Sequence, residues 1–464
     1  MALFFIALSL LIFGYFIYGK FVENVWGINP DRKTPAVKYN DGVDFVPMPL
    51  WRIFLIQFLN IAGLGPVFGA ILGAVYGPVC LLWIVFGSIL AGGVHDYLSG
   101  MISVKFNGKS IIYITEKLFG KKIKLLFLIF FSLLLLLIGV VFATNPAKML
   151  ADISNTPFIY WVVAIFLYYF LATFLPVDKI IGKFYPFFAA LLIVMTILTI
   201  VVLLLSKPIL YPNLTFANLH PLNLNVFPML FITVACGAIS GFHATQSPIM
   251  AKCISYEKQG RIVFYGAMIT EGIIALIWAT LGIAFYNETG GLLNAINNLG
   301  QGGVVSEIAT SLLGKFGGVL TVLSVIVLSL TSGDTAFRSL RLTIAENFNI
   351  DQKKISKRLF LSFIILFCGI LLAKIDLTVL WQYFGWANQM LATFVLWVLS
   401  SYLSKKKKFF FITFLPALFM TAVCISYILQ VKIGFSLAPN IANLIGILIS
   451  LLSGFFFIFK ITKK

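Results

Sequence analysis

Charge is what this chain has least of. Only 11% of its 464 residues are Asp, Glu, Lys or Arg, where an ordinary soluble domain carries roughly a quarter. The acidic sign is the scarcer, with 16 Asp and Glu against 34 Lys and Arg, and there are three histidines. Polar stretches are equally short. Every segment between apolar runs spans fewer than about 35 residues, which leaves no room for a cytosolic enzyme, a nucleic-acid module or a secreted scaffold. Five cysteines (Cys80, Cys236, Cys253, Cys368, Cys424) are spread along the chain without a CxxC pair, so they read as small buried hydrophobes rather than a disulfide or metal framework. HExxH and GxSxG are absent, which sets aside a metalloprotease or a serine hydrolase. An intramembrane aspartyl protease lacks its second, properly framed Asp.

Apolar residues fill the space that charge leaves. They make up 60% of the chain, and the mean hydropathy is +1.02. Runs of about twenty residues recur from end to end, the length that crosses a bilayer as a helix. We place thirteen spans at 2–19, 53–75, 79–103, 125–143, 158–175, 184–206, 228–249, 262–286, 318–337, 359–373, 379–402, 409–430 and 440–460. The first, MALFFIALSLLIFGYFIYGK, lacks a basic start and a small-residue cleavage site and is read as a span rather than a signal peptide. The expected fold class is therefore an all-α polytopic membrane protein.

Thirteen alternating spans divide the loops into two sets. One set, formed by 20–52, 104–124, 176–183, 250–261, 338–358, 404–408 and the C-terminal tail, holds 29 of the 34 Lys and Arg. The other holds Lys148, Lys207, Lys315, Lys374 and Lys432. Basic loops stay cytoplasmic, which predicts an external N-terminus and a cytoplasmic C-terminus. The net charge of +18 is then a topology signal. It calls for a lipid bilayer as partner and for no nucleic acid.

Two spans carry helix-weakening clusters at their middle. The second has Ile61-Ala62-Gly63-Leu64-Gly65-Pro66-Val67-Phe68-Gly69, and the seventh has Cys236-Gly237-Ala238-Ile239-Ser240-Gly241-Phe242-His243. Pro removes a backbone donor and Gly favours non-helical angles, and freed backbone groups survive at membrane depth only inside protein or along a wet cavity. Either cluster alone also suits close helix packing through small residues, and the second span also reads as re-entrant. The two lie five spans apart and run in opposite directions, the pattern of an inverted repeat whose interrupted helices frame a midplane binding site. Candidate substrate-binding residues are Gly63, Gly65, Pro66, Gly237, Ser240, Gly241 and His243.

On this reading 53–206 and 228–402 form two five-helix repeats of one transporter domain covering 1–464. Residues 1–52 supply an extra first helix and a cytoplasmic loop, and 409–464 supply two C-terminal helices. The arrangement resembles the LeuT-type architecture, with one extra helix in front and two behind. In sodium symporters of that type, adjacent hydroxyls on the eighth core helix help hold an ion. The resemblance puts Thr331 and Ser332 there, as a site for Na+ and the one metal candidate in the sequence.

Three of the 16 carboxylates fall inside spans, Asp96, Glu271 and Asp334, together with His95 and His243. Each costs on the order of 2.5–3.5 kcal/mol to insert, so each is a functional candidate. His95 and Asp96 are adjacent and point about a hundred degrees apart on a helix, so a direct pair is not expected. They read as a proton-handling or gating position, or as hydrogen-bonded packing residues. His243 follows the seventh-span break, and imidazole exchanges protons near neutral pH. Asp334 stands four and seven residues before Arg338 and Arg341, as a salt bridge or as a coupling or gating group. Glu271 stands alone in apolar sequence, as a coupling carboxylate or a bonded bundle residue. Asn145-Pro146 reads as loop capping, and Asn388-Gln389 as polar groups near a span end.

Six ordered blocks are similar to the carbon starvation protein A (CstA) family of inner-membrane carriers. They are Thr34-Pro35-Ala36 with Asp41-Gly42-Val43-Asp44-Phe45-Val46-Pro47, then Ile61 to Pro66, Gly92-Gly93-Val94-His95-Asp96, ACGAISGFHATQSP from Ala235 to Pro248, TSGDTAFRSLRL from Thr331 to Leu342, and FGWANQMLA from Phe384 to Ala392. The resemblance implies a secondary carrier of the cell inner membrane that takes up small carbon sources, as in carbon starvation. The solute is a peptide in some members and pyruvate in another branch, and a proton or sodium gradient drives uptake. It implies no ATP-binding subunit and no cofactor. The chain is shorter than the long members, which places it in a compact branch.

Overall fold

The structure, a computed structural model, describes residues 2–41, 45–173, 177–206, 217–352 and 354–462. Gly42-Val43-Asp44 of the second-span approach, and the basic positions Lys179, Lys183, Lys207, Lys353, Lys463 and Lys464, lie outside the described residues and side chains. The fold is all helical among the described residues. In chain order it comprises α1 (Ala2–Trp26), α2 (Leu50–Ala62), α3 (Gly65–Ala74), α4 (Val79–Lys105), α5 (Ile111–Phe119), α6 (Lys121–Ser154), α7 (Phe158–Ala172) and α8 (Val177–Ser206). After a short helical stretch at 226–233 follow α9 (His243–Ala251), α10 (Glu257–Tyr286), α11 (Thr289–Asn347), α12 (Ile355–Leu372), α13 (Leu377–Lys405), α14 (Phe411–Gln430) and α15 (Pro439–Thr462).

Among the described residues nine helices are long and apolar enough to cross a membrane, and ten if α2 and α3, bent by 57°, count as one span. The other expected spans are helical but fall short, each for its own reason. Helix α7 has 15 residues. Helix α13 is long but carries Gln382, Asn388, Gln389 and several serines. The seventh is interrupted over 234–242. Residues 289–317, read as loop from sequence, are largely helical, and α11 turns at Gly300 (φ 69°) and Gly314 (φ 73°). Left-handed backbone at these two glycines breaks one helix into three pieces.

Packing is inverted relative to a soluble protein. Among the helices long enough to span, α4 and α10 are the most enclosed, and they carry buried polar side chains such as His95, Asp96 and Glu271, while α1 and α15 at the periphery expose Phe16, Ile17, Leu452 and Phe455. An apolar exterior around a polar interior is stable only with lipid outside. Pro146 shows how the interior deals with a lost donor. It lies inside α6, not in a loop, so the Phe142 carbonyl four residues earlier has no helical partner. Ser329 of α11 donates its hydroxyl to that carbonyl at 2.8 Å.

Four of the basic loops meet on one face. Arg32 binds Glu257 at 2.8 Å, and Thr34 donates to the Ser255 carbonyl, which ties 20–52 to 250–261. Lys408 donates to the Trp26 carbonyl, and Lys405 to that of Leu118. The division of loops by charge is thus matched by contact for these four.

Candidate functional site

The two interrupted segments pack directly on one another. Helix α2 ends at Gly63, whose φ of 45° and ψ of −150° suit only glycine, and a side chain there would strike the Phe142 ring. A Cβ on Gly65 would fall on Cys236, and the Gly237 position faces Ala275 and the Pro66 α-carbon. The two clusters paired in the sequence thus touch through Gly65 with Cys236 and Pro66 with Gly237, while Gly63 faces Phe142 of α6.

Residues 234–242 leave the helix, and their backbone finds partners on two neighbours. From α4, Trp83 donates to the Val234 carbonyl at 3.2 Å and Ser88 to that of Gly237 at 3.0 Å. From α13, Gln389 donates to the Ile239 carbonyl at 2.9 Å, and the Asn388 carbonyl accepts from Gly241 N at 3.1 Å. The Asn388 side-chain oxygen accepts from Phe242 N at 2.9 Å, and its amide nitrogen lies 3.0 Å from Ser240 Oγ. Asn388 and Gln389 are therefore mid-helix clamps on the break. The sequence shows them as polar residues in a span, but not what they hold.

His243 opens α9 immediately after the break. Its Nδ1 lies 2.7 Å from Asp96 Oδ2, and the other Asp96 oxygen lies 2.8 Å from His95 Nδ1. The direct His95–Asp96 pair corrects the sequence expectation. Nδ1 sits close to the ring's attachment, so the short Asp side chain spans the gap between adjacent helical positions. On the far side of His243, Nε2 is 3.3 Å from Glu271 Oε2 without hydrogen-bond alignment. The four side chains form a row, Glu271, His243, Asp96, His95, drawn from α10, α9 and α4 and fully buried. Two imidazoles alternate with two carboxylates, an arrangement able to hold a proton and pass it along. Both Glu271 oxygens and His95 Nε2 remain without hydrogen-bond partners, so both ends of the row are open.

The remaining candidates sit on α11, apart from this row. Thr331 donates to the Leu328 carbonyl at 2.8 Å, while Ser332 Oγ is buried without a partner. Asp334 pairs with Arg338 at 3.0 Å, the salt bridge the spacing allowed. Among the described residues no group of three or more His, Cys, Asp or Glu is placed to hold a metal ion. Sequence reasoning missed Gln57 on α2, whose side-chain amide is fully buried with neither atom bonded. A lone Gln in an apolar run is the only signal it gives.

The model of the carbon starvation protein CstA family matches residues 1–159, 145–297 and 282–427. The chain belongs to the CstA family. An uncharacterized membrane protein of Haemophilus influenzae is 43% identical over 63% of this CstA-family chain and 94% of its own length. A protein of Bacillus subtilis named peptide transporter CstA is 28% identical, with 83% of this chain and 82% of that one covered. The pyruvate/proton symporter BtsT of Escherichia coli is also 28% identical, over 58% of this chain. The match spans about half, 47%, of BtsT's length. Among solved structures, a manganese transporter of Eremococcus coleocola superposes with a TM-score of 0.59 at 15% identity, covering 91% of this chain and 99% of that one. MhsT in complex with L-phenylalanine superposes at 0.55 and 15% identity, covering 87% and 98%. The fold is thus that of the LeuT-type transporters, and the chain is a multi-pass membrane protein of a family whose named members are transporters.

Proposed function

We propose that this CstA-family chain is a secondary carrier that takes up small peptides across the cytoplasmic membrane, coupled to proton entry through Glu271, His243, Asp96 and His95. The observation that carries the proposal is the buried row of alternating carboxylates and imidazoles joined to the broken seventh span. His243 is the first residue of α9, so a rearrangement of 234–242 changes its distance to Asp96 and Glu271. Protonation and opening are then one event. The solute enters a midplane pocket formed around 63–69 and 237–243 when these packed segments part, and the starts of α3 and α9 suit a carboxylate end. Residues 53–206 and 228–402 act as the two inverted repeats, with the N-terminus outside and the C-terminus cytoplasmic.

Pyruvate is the second reading, since one relative is named a pyruvate/proton symporter and the contact of Gly65 with Cys236 favours a small solute. Sodium coupling at Thr331 and Ser332 is the alternative to protons. The deciding experiment is uptake of labelled dipeptide and labelled pyruvate into proteoliposomes, each under a pH gradient alone and a sodium gradient alone. We expect dipeptide accumulation under the pH gradient. Pyruvate accumulation instead replaces the solute, and a response to sodium alone moves the coupling to Ser332. No gradient-dependent uptake of either solute sinks the carrier reading.

A further inference from the structure

Arg341 is a buried cation with unmet donors. It is 93% buried, given its 7% exposure, and neither Nε nor one terminal nitrogen has a hydrogen-bond partner. A guanidinium carries five donors and is not deprotonated in proteins, so an unpaired buried one is costly unless an anion meets it. The carboxylate nearby, Asp334, is already bound to Arg338 at 3.0 Å. Arg338 also leaves its Nε unpartnered, and Arg358 at the start of α12 does the same. Arg338 and Arg358 are both close enough to bear on Arg341 electrostatically. Arg338 and Arg341 thus bear on the same carboxylate, Arg358 adds a further positive charge, and the excess is positive.

Of these groups Asp334, Arg338 and Arg341 line a pocket between α7, α11 and α12, together with Thr173 and Ser362. Its free volume is about 20 Å³, room for one oxygen-sized group rather than a whole solute. The two helices beside it turn apolar faces outward. Leu167 and Leu171 on α7 and Phe360, Phe363 and Phe367 on α12 are all exposed. The pocket also lies at the end of α11 that runs into the basic 338–358 segment. A positive pocket between helices, flanked by lipid-facing side chains and close to a basic loop, is the setting in which anionic headgroups bind.

We propose that this pocket binds the phosphate of an anionic phospholipid, one phosphate oxygen reaching Arg341 and Ser362 while the acyl chains lie along α7 and α12. The charged fork of Arg341 supplies paired donors to the phosphate, and Arg358, one turn before Ser362 on α12, holds the headgroup's outer side. The same phosphate chemistry is offered by free inorganic phosphate, but the apolar flanks select the lipid.

The test uses the purified full chain in detergent with no gradient, so its outcome is independent of transport. Phosphatidylglycerol, phosphatidylcholine and inorganic phosphate are titrated separately, and thermal unfolding and native mass spectrometry report stabilisation and retained lipid. We expect phosphatidylglycerol to raise the unfolding temperature and to remain bound, and phosphatidylcholine to do neither. Arg341→Gln should weaken phosphatidylglycerol binding roughly tenfold or more, with Arg341→Lys between the two. If Arg341→Gln does not fold, Arg358→Gln carries the same expected loss. Unchanged phosphatidylglycerol binding in the folded variant overturns the site, and full stabilisation by inorganic phosphate alone overturns the lipid assignment.

Discussion

His243 Nδ1 and Asp96 Oδ2 lie 2.7 Å apart although 147 positions separate them in the chain. The bond joins the most enclosed part of α4 to the residue that restarts the helix after the second break. Under the proposed coupling, this bond is what makes the position of α9 depend on the protonation of the buried row. Glu271 extends the dependence to α10, since it faces the other nitrogen of the same ring at 3.3 Å.

Glu271→Gln tests that dependence. The amide keeps the shape of the side chain and removes its titration, so pH-gradient-driven accumulation should fall roughly tenfold or more while solute exchange without a gradient persists. Asp96→Asn should do the same with a larger loss of stability, because it weakens bonds to both imidazoles. Comparing uptake with counterflow in proteoliposomes separates the two effects. Equal loss of exchange and accumulation would assign the row to structure rather than coupling.

Gly65→Ala tests the contact between the two breaks. The added methyl falls on the Cβ and Sγ of Cys236, and overpacking of a filled interior costs about 1–3 kcal/mol. Thermal unfolding in detergent should show the loss, and Cys236→Gly combined with Gly65→Ala should recover part of it. A double variant no more stable than the single one would mean that the strain lies elsewhere.

Composition made the membrane class legible, and the two Gly-rich breaks were readable because Gly and Pro act locally on the backbone. The five-span spacing of the two clusters pointed to their meeting, though not to Gly65 and Cys236 as the residues that touch. What holds the breaks was not readable. Ser88, Trp83 and Gln389 each reach a carbonyl about 150 positions away, and nothing in a hydrophobic pattern encodes such a partner. The titratable residues stood out one at a time by their cost in a span, but their assembly into a row depended on how α4, α9 and α10 cross. Asn145-Pro146 was misread as a loop signal because a proline inside a helix is tolerated when a neighbouring helix supplies the missing donor, as Ser329 does here.

Asn388→Ala isolates the clamp. It leaves Phe242 N and Ser240 Oγ without the partners they have now, and each buried group left unsatisfied costs about 1–3 kcal/mol. The expected result is a lower unfolding temperature with a disproportionate loss of solute affinity, since 234–242 would no longer be held in its non-helical path. Hydrogen exchange over 234–242 should accelerate while α13 stays protected. Slow exchange over the break in the variant would show that the bonds from Trp83, Ser88 and Gln389 hold it without the Asn388 side chain.

His220 gives the pH dependence of stability a defined sign. It lies in the segment before the 226–233 stretch, outside the helices, at the edge of a cavity of about 530 Å³ that opens between Tyr76, Trp381 and Tyr427. Its ring packs 4.6 Å from that of Tyr76, and its Nδ1 accepts a hydrogen bond from Leu222 N at 3.2 Å. Burial pushes its pKa below the ordinary histidine value, and accepting through Nδ1 likewise requires that nitrogen unprotonated. The folded state therefore favours the neutral ring, while the unfolded chain takes up its proton near pH 6.5. The stability that the neutral ring contributes is complete above about pH 6.5 and is lost as pH falls through the lower folded value. His220→Asn keeps an acceptor and removes the titration. Unfolding temperature measured from pH 8 to pH 5 should fall more steeply for the wild-type chain than for the variant. The two curves should run parallel above pH 7 and converge only on the acid side. Curves that stay parallel throughout would show that the ring does not titrate with folding.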